Sequence, residues 1–226
     1  MTNLMSAYPL RLYSVLFITL PFAFLLNFFH LEMETQLLIA SFIISLAGLP
    51  HGAADAWLAQ RVGIIRNTKD LFTFLVSYTF VAMSIIFAWM ISPSISLAIF
   101  LIISAWHFGD DERLGLSLFT RFCSGVIIVS SPLLLHNKEV LSLYEILIGN
   151  YANNVLDSQI ILFITSCGYL IYNTIRSFND MRTVRNISNI MLYVILSCII
   201  TPILYFTIYF CCAHSFQHMS LSLIHI

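Results

Sequence analysis

Apolar residues run along this chain in long blocks, and nearly all its charges sit in the short connectors between them. The first block is Leu12 to Phe29. At 1.5 Å per residue it makes a helix of about 27 Å, matched to the hydrocarbon core of a bilayer, and Pro21 predicts a kink in it. A connector with Glu32 and Glu34 leads to the second block, Gln36 to Gln60. Leu71 to Ile91 is the third, Ser92-Pro93-Ser94 a turn, and Ile95 to Gly109 the fourth. Gly115 to Leu135 is the fifth, with Arg121 placed near its start to snorkel to the interface. Val140 to Gly149 is too short to span and predicts an interfacial or re-entrant piece, and Gln159 to Ser177 is the sixth span. From Ile187 to about Ser220 the chain is apolar for too long to be one ordinary helix, so a break near Thr201-Pro202 is expected.

Composition agrees with this pattern. Of 226 residues, 59% are hydrophobic and 9% charged, with a mean hydropathy of +0.90, whereas soluble domains are about 45–50% apolar. The reading is an all-α, polytopic transmembrane helical bundle of about eight spans, forming a single domain over residues 1–226. A net charge of -1 with no basic run gives no case for nucleic acid. Cys123, Cys167, Cys198, Cys211 and Cys212 all lie in apolar runs without C-x-x-C spacing, so they read as small buried hydrophobes rather than a disulfide framework. The first block is too long for a signal-peptide core and lacks a small-residue cleavage site, so it stays as the first span.

Counting spans assigns each connector to a side. Arg11, Arg61, Arg66, Lys69, Arg113, Arg176, Arg182 and Arg185 fall on the side of the N-terminus, and only Lys138 falls opposite. The positive-inside rule makes the N-terminal side cytoplasmic. The second and fourth spans then run parallel, and both carry a histidine toward the cytoplasmic leaflet. If Ile187 to Ser220 crosses twice, His214 and His218 reach the same depth.

Those histidines are the candidate chemistry. Gly48-Leu49-Pro50-His51-Gly52-Ala53-Ala54-Asp55 and Ala105-Trp106-His107-Phe108-Gly109-Asp110-Asp111 each place an aspartate four residues after a histidine at the end of an apolar run. His214-Ser215-Phe216-Gln217-His218 spaces two histidines by four, one face of one helix. Any one of them alone reads as an interfacial histidine satisfied by carbonyls, but four on converging helices read as ligands of one ion. Asp55 and Asp111 sit near helix C-termini, where the macrodipole disfavours negative charge. A carboxylate one turn away is placed to accept a ligand's second ring N–H, the role favoured for Asp55; for Asp111, solvated loop charge pairing Arg113 beside Asp110 and Glu112 weighs equally. Gly52 and Gly109 let a helix or a flat ligand approach closely, or are ordinary packing glycines. His30 and His136 fall on the opposite side and are poor ligand candidates.

All-imidazole ligation suits iron, copper or zinc, and open positions on such an ion suit dioxygen chemistry or hydrolysis. There is no H-E-x-x-H, so a zinc metalloprotease lacks its general base. The closely repeated histidine boxes of membrane desaturases are also missing. A mononuclear iron oxygenase fits best.

The three motifs, the last extending from Pro202 through Tyr209-Phe210-Cys211-Cys212-Ala213 to His218, resemble the signature stretches of the Brp/Blh family of bacterial and archaeal β-carotene 15,15′-dioxygenases. The resemblance covers the chain from its second span to its end. It implies an enzyme of the inner (plasma) membrane in which His51, His107, His214 and His218 hold Fe(II). It further implies that O2 splits the central double bond of β-carotene into two retinals, the chromophore of a microbial rhodopsin. An oxygenase acting on another lipid or apocarotenoid, and a non-enzymatic carotenoid- or metal-binding membrane protein, are the alternatives. The family continues into further helices where this chain stops eight residues after His218. Leu221 to Ile226 resembles a translated sequencing adapter, so the expectation is a C-terminally truncated chain in which His225 is not native.

Overall fold

The computed structural model describes residues 31–110 and 115–214, apart from the side chains of 47–54 and 212–213. The expected first span, Asp111 and His218 lie outside the described residues, as do the surroundings of Gly52. All regular structure among the described residues is helical. The helices are α1 (Met33–Arg61), α2 (Thr68–Ile91), α3 (Pro93–Gly109), α4 (Leu118–Ser130), α5 (Asn137–Ile148), α6 (Ala152–Arg176), α7 (Met181–Ile199) and α8 (Pro202–Ile208), and a π-helical turn, Tyr209–His214, continues α8.

Local chemistry explains most of these boundaries. Asn67 caps α2 by accepting from the Lys69 and Asp70 amides, Ser117 caps α4 through the Thr120 amide, and Asp180 caps α7 through the Arg182 amide. Pro93 and Pro202 open α3 and α8, where a missing N–H costs nothing. Ser92 alone therefore separates α2 from α3, which shortens the expected three-residue turn. The expected fifth block is not one helix, because Pro132 converts its end into a 3-10 turn, Ser131–Leu134. The sixth and seventh blocks begin earlier than their apolar residues indicate, at Ala152 and Met181, because polar first turns carry no hydrophobic signal.

Between α5 and α6 a 3-10 turn, Gly149–Tyr151, begins at Gly149 with φ 62°. The Tyr144 hydroxyl reaches Gln159 Oε1 across it, although fifteen residues of straight helix would separate the two by about 22 Å. The chain therefore doubles back here, and α5 packs beside α6 instead of extending it, as the short apolar length of that block implies.

α4 is the centre of the bundle, with eight of its thirteen residues buried and helices α3, α6 and α7 packed around it. Leu97, Leu133, Tyr144, Ala152 and Leu156 form a core at one end, and Phe108, Ile128, Tyr193, Leu196, Tyr205 and Tyr209 form another along α7 and α8. The distribution of polarity is inverted relative to a soluble domain. Ser124, Ser130, Ser166, Gln159, Thr183, Asn186 and Asn189 are buried, whereas Phe42, Phe80, Ile86, Met90, Ile103, Ile161 and Ile171 face outward. Small and polar groups inside with large apolar groups outside is the arrangement stable in lipid, where hydrogen bonds and close packing rather than water exclusion hold helices together.

Thr68–Ile91, with a mean hydropathy of 2.1 in its most apolar stretch and none of that stretch buried, is long and apolar enough to cross a membrane; the run Asn137–Arg176 meets the same length and composition but is broken by the turn at Gly149–Tyr151. Pro93–Gly109 and Leu118–Leu134 are apolar but shorter. A Cβ at Gly115 would lie 3.2 Å from Arg182 Nη1, which joins the connectors on the arginine-rich side. Leu31, Gln36, Lys138, Glu139 and Thr201 line one cavity at the other end.

Candidate metal centre

The site is built at the C-terminal ends of α3 and of the π-helical turn that follows α8. α3 ends with Ala105-Trp106-His107-Phe108-Gly109, and Ala105 and Gly109 lie one turn apart against α4. The antiparallel pair touches backbone to backbone. A Cβ on Gly109 would lie 2.1 Å from the Arg121 carbonyl oxygen, and one on Gly125 would lie 1.7 Å from the Ala105 carbonyl oxygen. Arg121 Nη1 donates to Asp110 Oδ1 at the end of the same joint. Arg121 is therefore held against the end of α3 by this ion pair.

His107 projects from the opposite face of α3, since two residues of helix turn about 200°. There its Nε2 lies 3.0 Å from His214 Nε2, with the ring centroids 4.6 Å apart. His214 is 1% exposed and sits against Phe108 and Phe210, whose ring centroids are 5.1 and 5.8 Å away, while His107 is exposed on its outer side. Tyr209 and Tyr193 continue the aromatic wall behind Phe108. The π-helical turn delivers His214 in this orientation; π-turns inside helices concentrate at functional sites because they re-aim side chains.

The donor set fits a transition metal. Two imidazole nitrogens bound at right angles to one ion, each about 2.1 Å from it, lie about 3.0 Å apart. The same separation serves an N–H···N hydrogen bond between two neutral rings, so the pair accommodates either a proton or a metal. Among the described residues no third histidine, cysteine or carboxylate joins the two. The side chain of His51 and the whole of His218, which complete the expected set, lie outside the described residues. The backbone of α1 bears on His51 nonetheless. Thr201 Oγ1 donates to Gln36 Oε1, fixing the start of α8 beside the start of α1. His51 lies fifteen residues beyond Gln36 and His214 thirteen beyond Thr201 on parallel helices, which brings the two backbones to the same depth within about 3 Å at the α-helical rise.

Asp55 is exposed near the end of α1, with the Tyr78 hydroxyl of α2 3.5 Å from its Oδ2. Asp111 lies outside the described residues. His136 pairs with Glu139 at 3.1 Å at the start of α5. Phe108 lines the site, but Trp57 and Trp106 face outward, Trp57 beneath the Arg61 guanidinium. Cys123 is buried as expected, whereas Cys167, Cys198 and Cys211 are only half-buried. Gly125 was not legible as part of the site; the available signal was a small residue four positions after Arg121 in an apolar helix.

No solved structure matches this chain. The Beta-carotene 15,15'-dioxygenase of an uncultured marine bacterium, 66A03, is 30% identical over 188 residues, which cover 79% of this chain and 66% of that relative. The family model described as Beta-carotene 15,15'-dioxygenase matches residues 42–225, a stretch that begins before His51 and contains all three histidine motifs. The chain belongs to the beta-carotene 15,15'-dioxygenase family.

Proposed function

We propose that this chain is a multi-pass inner-membrane dioxygenase that cleaves the central 15,15′ double bond of β-carotene with O2 to give two retinals. The observation that carries the reading is the 3.0 Å approach of His107 and His214 in a member of this family. His51, His107, His214 and His218 are the proposed ligands of Fe(II), with Asp55 and Asp111 orienting the rings of His51 and His107. Bound Fe(II) supplies the activation of O2. Both atoms of O2 end as the two aldehyde oxygens, so the cleavage balances without an external reductant.

The protein's own residues supply position and exclusion. Phe108, Tyr209 and Phe210 surround the buried imidazole with apolar and aromatic walls that suit a polyene and keep water from the reacting carbons. The exposed outer side of His107 leaves an approach for a substrate already dissolved in the bilayer, so carotene need never enter water. About eight spans in one domain, with the N-terminus in the cytoplasm, place this end in the cytoplasmic leaflet, where retinal can pass to a microbial rhodopsin. The inverted polarity of the bundle and the sorting of its connectors support that topology.

The test is expression in β-carotene-accumulating bacteria with retinal measured by chromatography, beside His214→Ala. Retinal from the parent alone is expected. Intact carotene in both, with membrane expression verified, would overturn the reading and favour an oxygenase of another lipid or apocarotenoid.

A further inference from the structure

We infer that Gly125, on a helix with no candidate ligand, is a positioning residue that sets where His107 stands and thereby whether the two imidazoles can share an ion. The inference rests on the proposed metal at His107 and His214. The α3–α4 joint is a contact of backbones at Gly109 against Arg121 and at Gly125 against Ala105. At Gly125 the clearance is so small that an added Cβ would lie 1.7 Å from the Ala105 carbonyl oxygen, 2.7 Å from its carbon and 2.8 Å from the Gly109 amide nitrogen. None of these atoms belongs to a side chain that can swing aside. A methyl group there must drive α3 away from α4 by more than about 1 Å to reach ordinary contact.

The direction of that shift matters. Ala105 and Gly109 form the face of α3 that touches α4, and His107, midway between them, points from the opposite face. Displacement off α4 therefore carries His107 forward, and at a separation of 3.0 Å from His214 a shift of that size closes or skews the gap. Phe108 of α3 packs on His214 and Tyr209, but the turn that carries His214 also has anchors outside α3, so the two rings do not move as one body. Tyr205, in the preceding helix, donates to the Ile128 carbonyl at 2.8 Å, and Tyr209 packs on Tyr193 of α7. α4 thus serves both ligands, with Gly125 clamping α3 from behind and Ile128 anchoring α8.

The experiment compares the full-length protein with Gly125→Ala, Gly168→Ala and Asp110→Asn, purified in detergent. Gly168 is the matched control, a helical glycine in α6 with nothing within 4 Å of an added Cβ. Bound iron is measured as isolated, and Co(II) is titrated into the iron-free protein, its visible absorption reporting ligand geometry. Gly125→Ala is expected to weaken Co(II) binding by at least about tenfold and to alter the absorption. Gly168→Ala is expected to match the parent in both. Unchanged affinity and spectrum in a folded Gly125→Ala protein would overturn the inference. If Gly125→Ala fails to fold, Asp110→Asn decides. Loss of the Arg121 ion pair loosens the same joint from its polar end, so an altered Co(II) spectrum supports the inference and an unchanged one overturns it. Absence of iron and Co(II) binding in the parent would instead refute the metal reading on which the inference stands.

Discussion

The Nε2 atoms of His107 and His214, 107 positions apart in sequence, meet at 3.0 Å. One arrives on the end of a helix clamped by glycine packing, the other on a π-helical turn. Because they come from separate elements, each can be removed without dismantling the helix that carries the other.

His107→Ala and His214→Ala should each reduce iron per purified protein by at least about tenfold, and retinal formation should fall to background. His136→Ala, whose ring pairs with Glu139 at the other end of the bundle, should leave both unchanged. Elemental analysis beside product chromatography checks this, and full iron retention in either of the first two variants would remove that residue from the ligand set.

Asp55→Asn removes the carboxylate one helical turn from His51. It should weaken iron binding by about 10- to 100-fold, the usual effect of losing a group that orients a ligand. Tyr78→Phe deletes only a 3.5 Å contact to the same carboxylate and should cost less. An iron titration in which the two variants behave alike would argue against an orienting role for Asp55.

With all five native cysteines replaced, Lys138→Cys and Arg182→Cys should label from opposite sides of the membrane. A membrane-impermeant thiol reagent applied to intact spheroplasts should reach position 138, and position 182 only after the membrane is opened. Labelling of both from outside would refute the proposed topology.

Gln159 links α5, α6 and the end of α4, accepting from the Tyr144 hydroxyl and donating to Ser130 Oγ. Gln159→Leu strands both hydroxyls in a buried seam and should cost about 0.5–2 kcal/mol, the lower end reflecting the modest value of such bonds inside membrane bundles. Reversible unfolding in mixed micelles measures this directly, and a variant as stable as the parent would show that the seam is dispensable.

Asp180 caps α7 and bonds Arg182, whose hydrogen bonds hold its carboxyl below the usual carboxylate range. With the folded value depressed, its contribution is complete above the unfolded value of about 3.9 and is lost as pH falls through the folded value. The parent should therefore lose thermal stability on acidification below about pH 4 more steeply than Asp180→Asn, which keeps a capping oxygen without the charge. Parallel melting curves across that range would contradict this.

Much of the fold was legible. The limits of α2 and α3 follow the apolar run closely because Asn67, Ser92 and Pro93 are strong local signals. The break before Pro202 was readable for the same reason, since no context restores a missing N–H. The division of the fifth block at Pro132 was missed because apolar residues continue on both sides. The early starts of α6 and α7 were missed because their first turns are polar and propensity alone does not mark them. Nothing in the sequence announces the π-helical turn, which trades local hydrogen bonds for the packing of Tyr209 against Tyr193 and Phe108.

By itself the sequence determined the helical class and the family and singled out the candidate histidines, because these reside in composition, in the cost of polar groups within apolar runs, and in three ordered motifs. Which two imidazoles face each other, and at what distance, was decided only by tertiary structure. That distance is set by the backbone contacts of Gly109 and Gly125 and by the turn that aims His214. Both depend on how helices far apart in sequence are pressed together, and no local pattern encodes that.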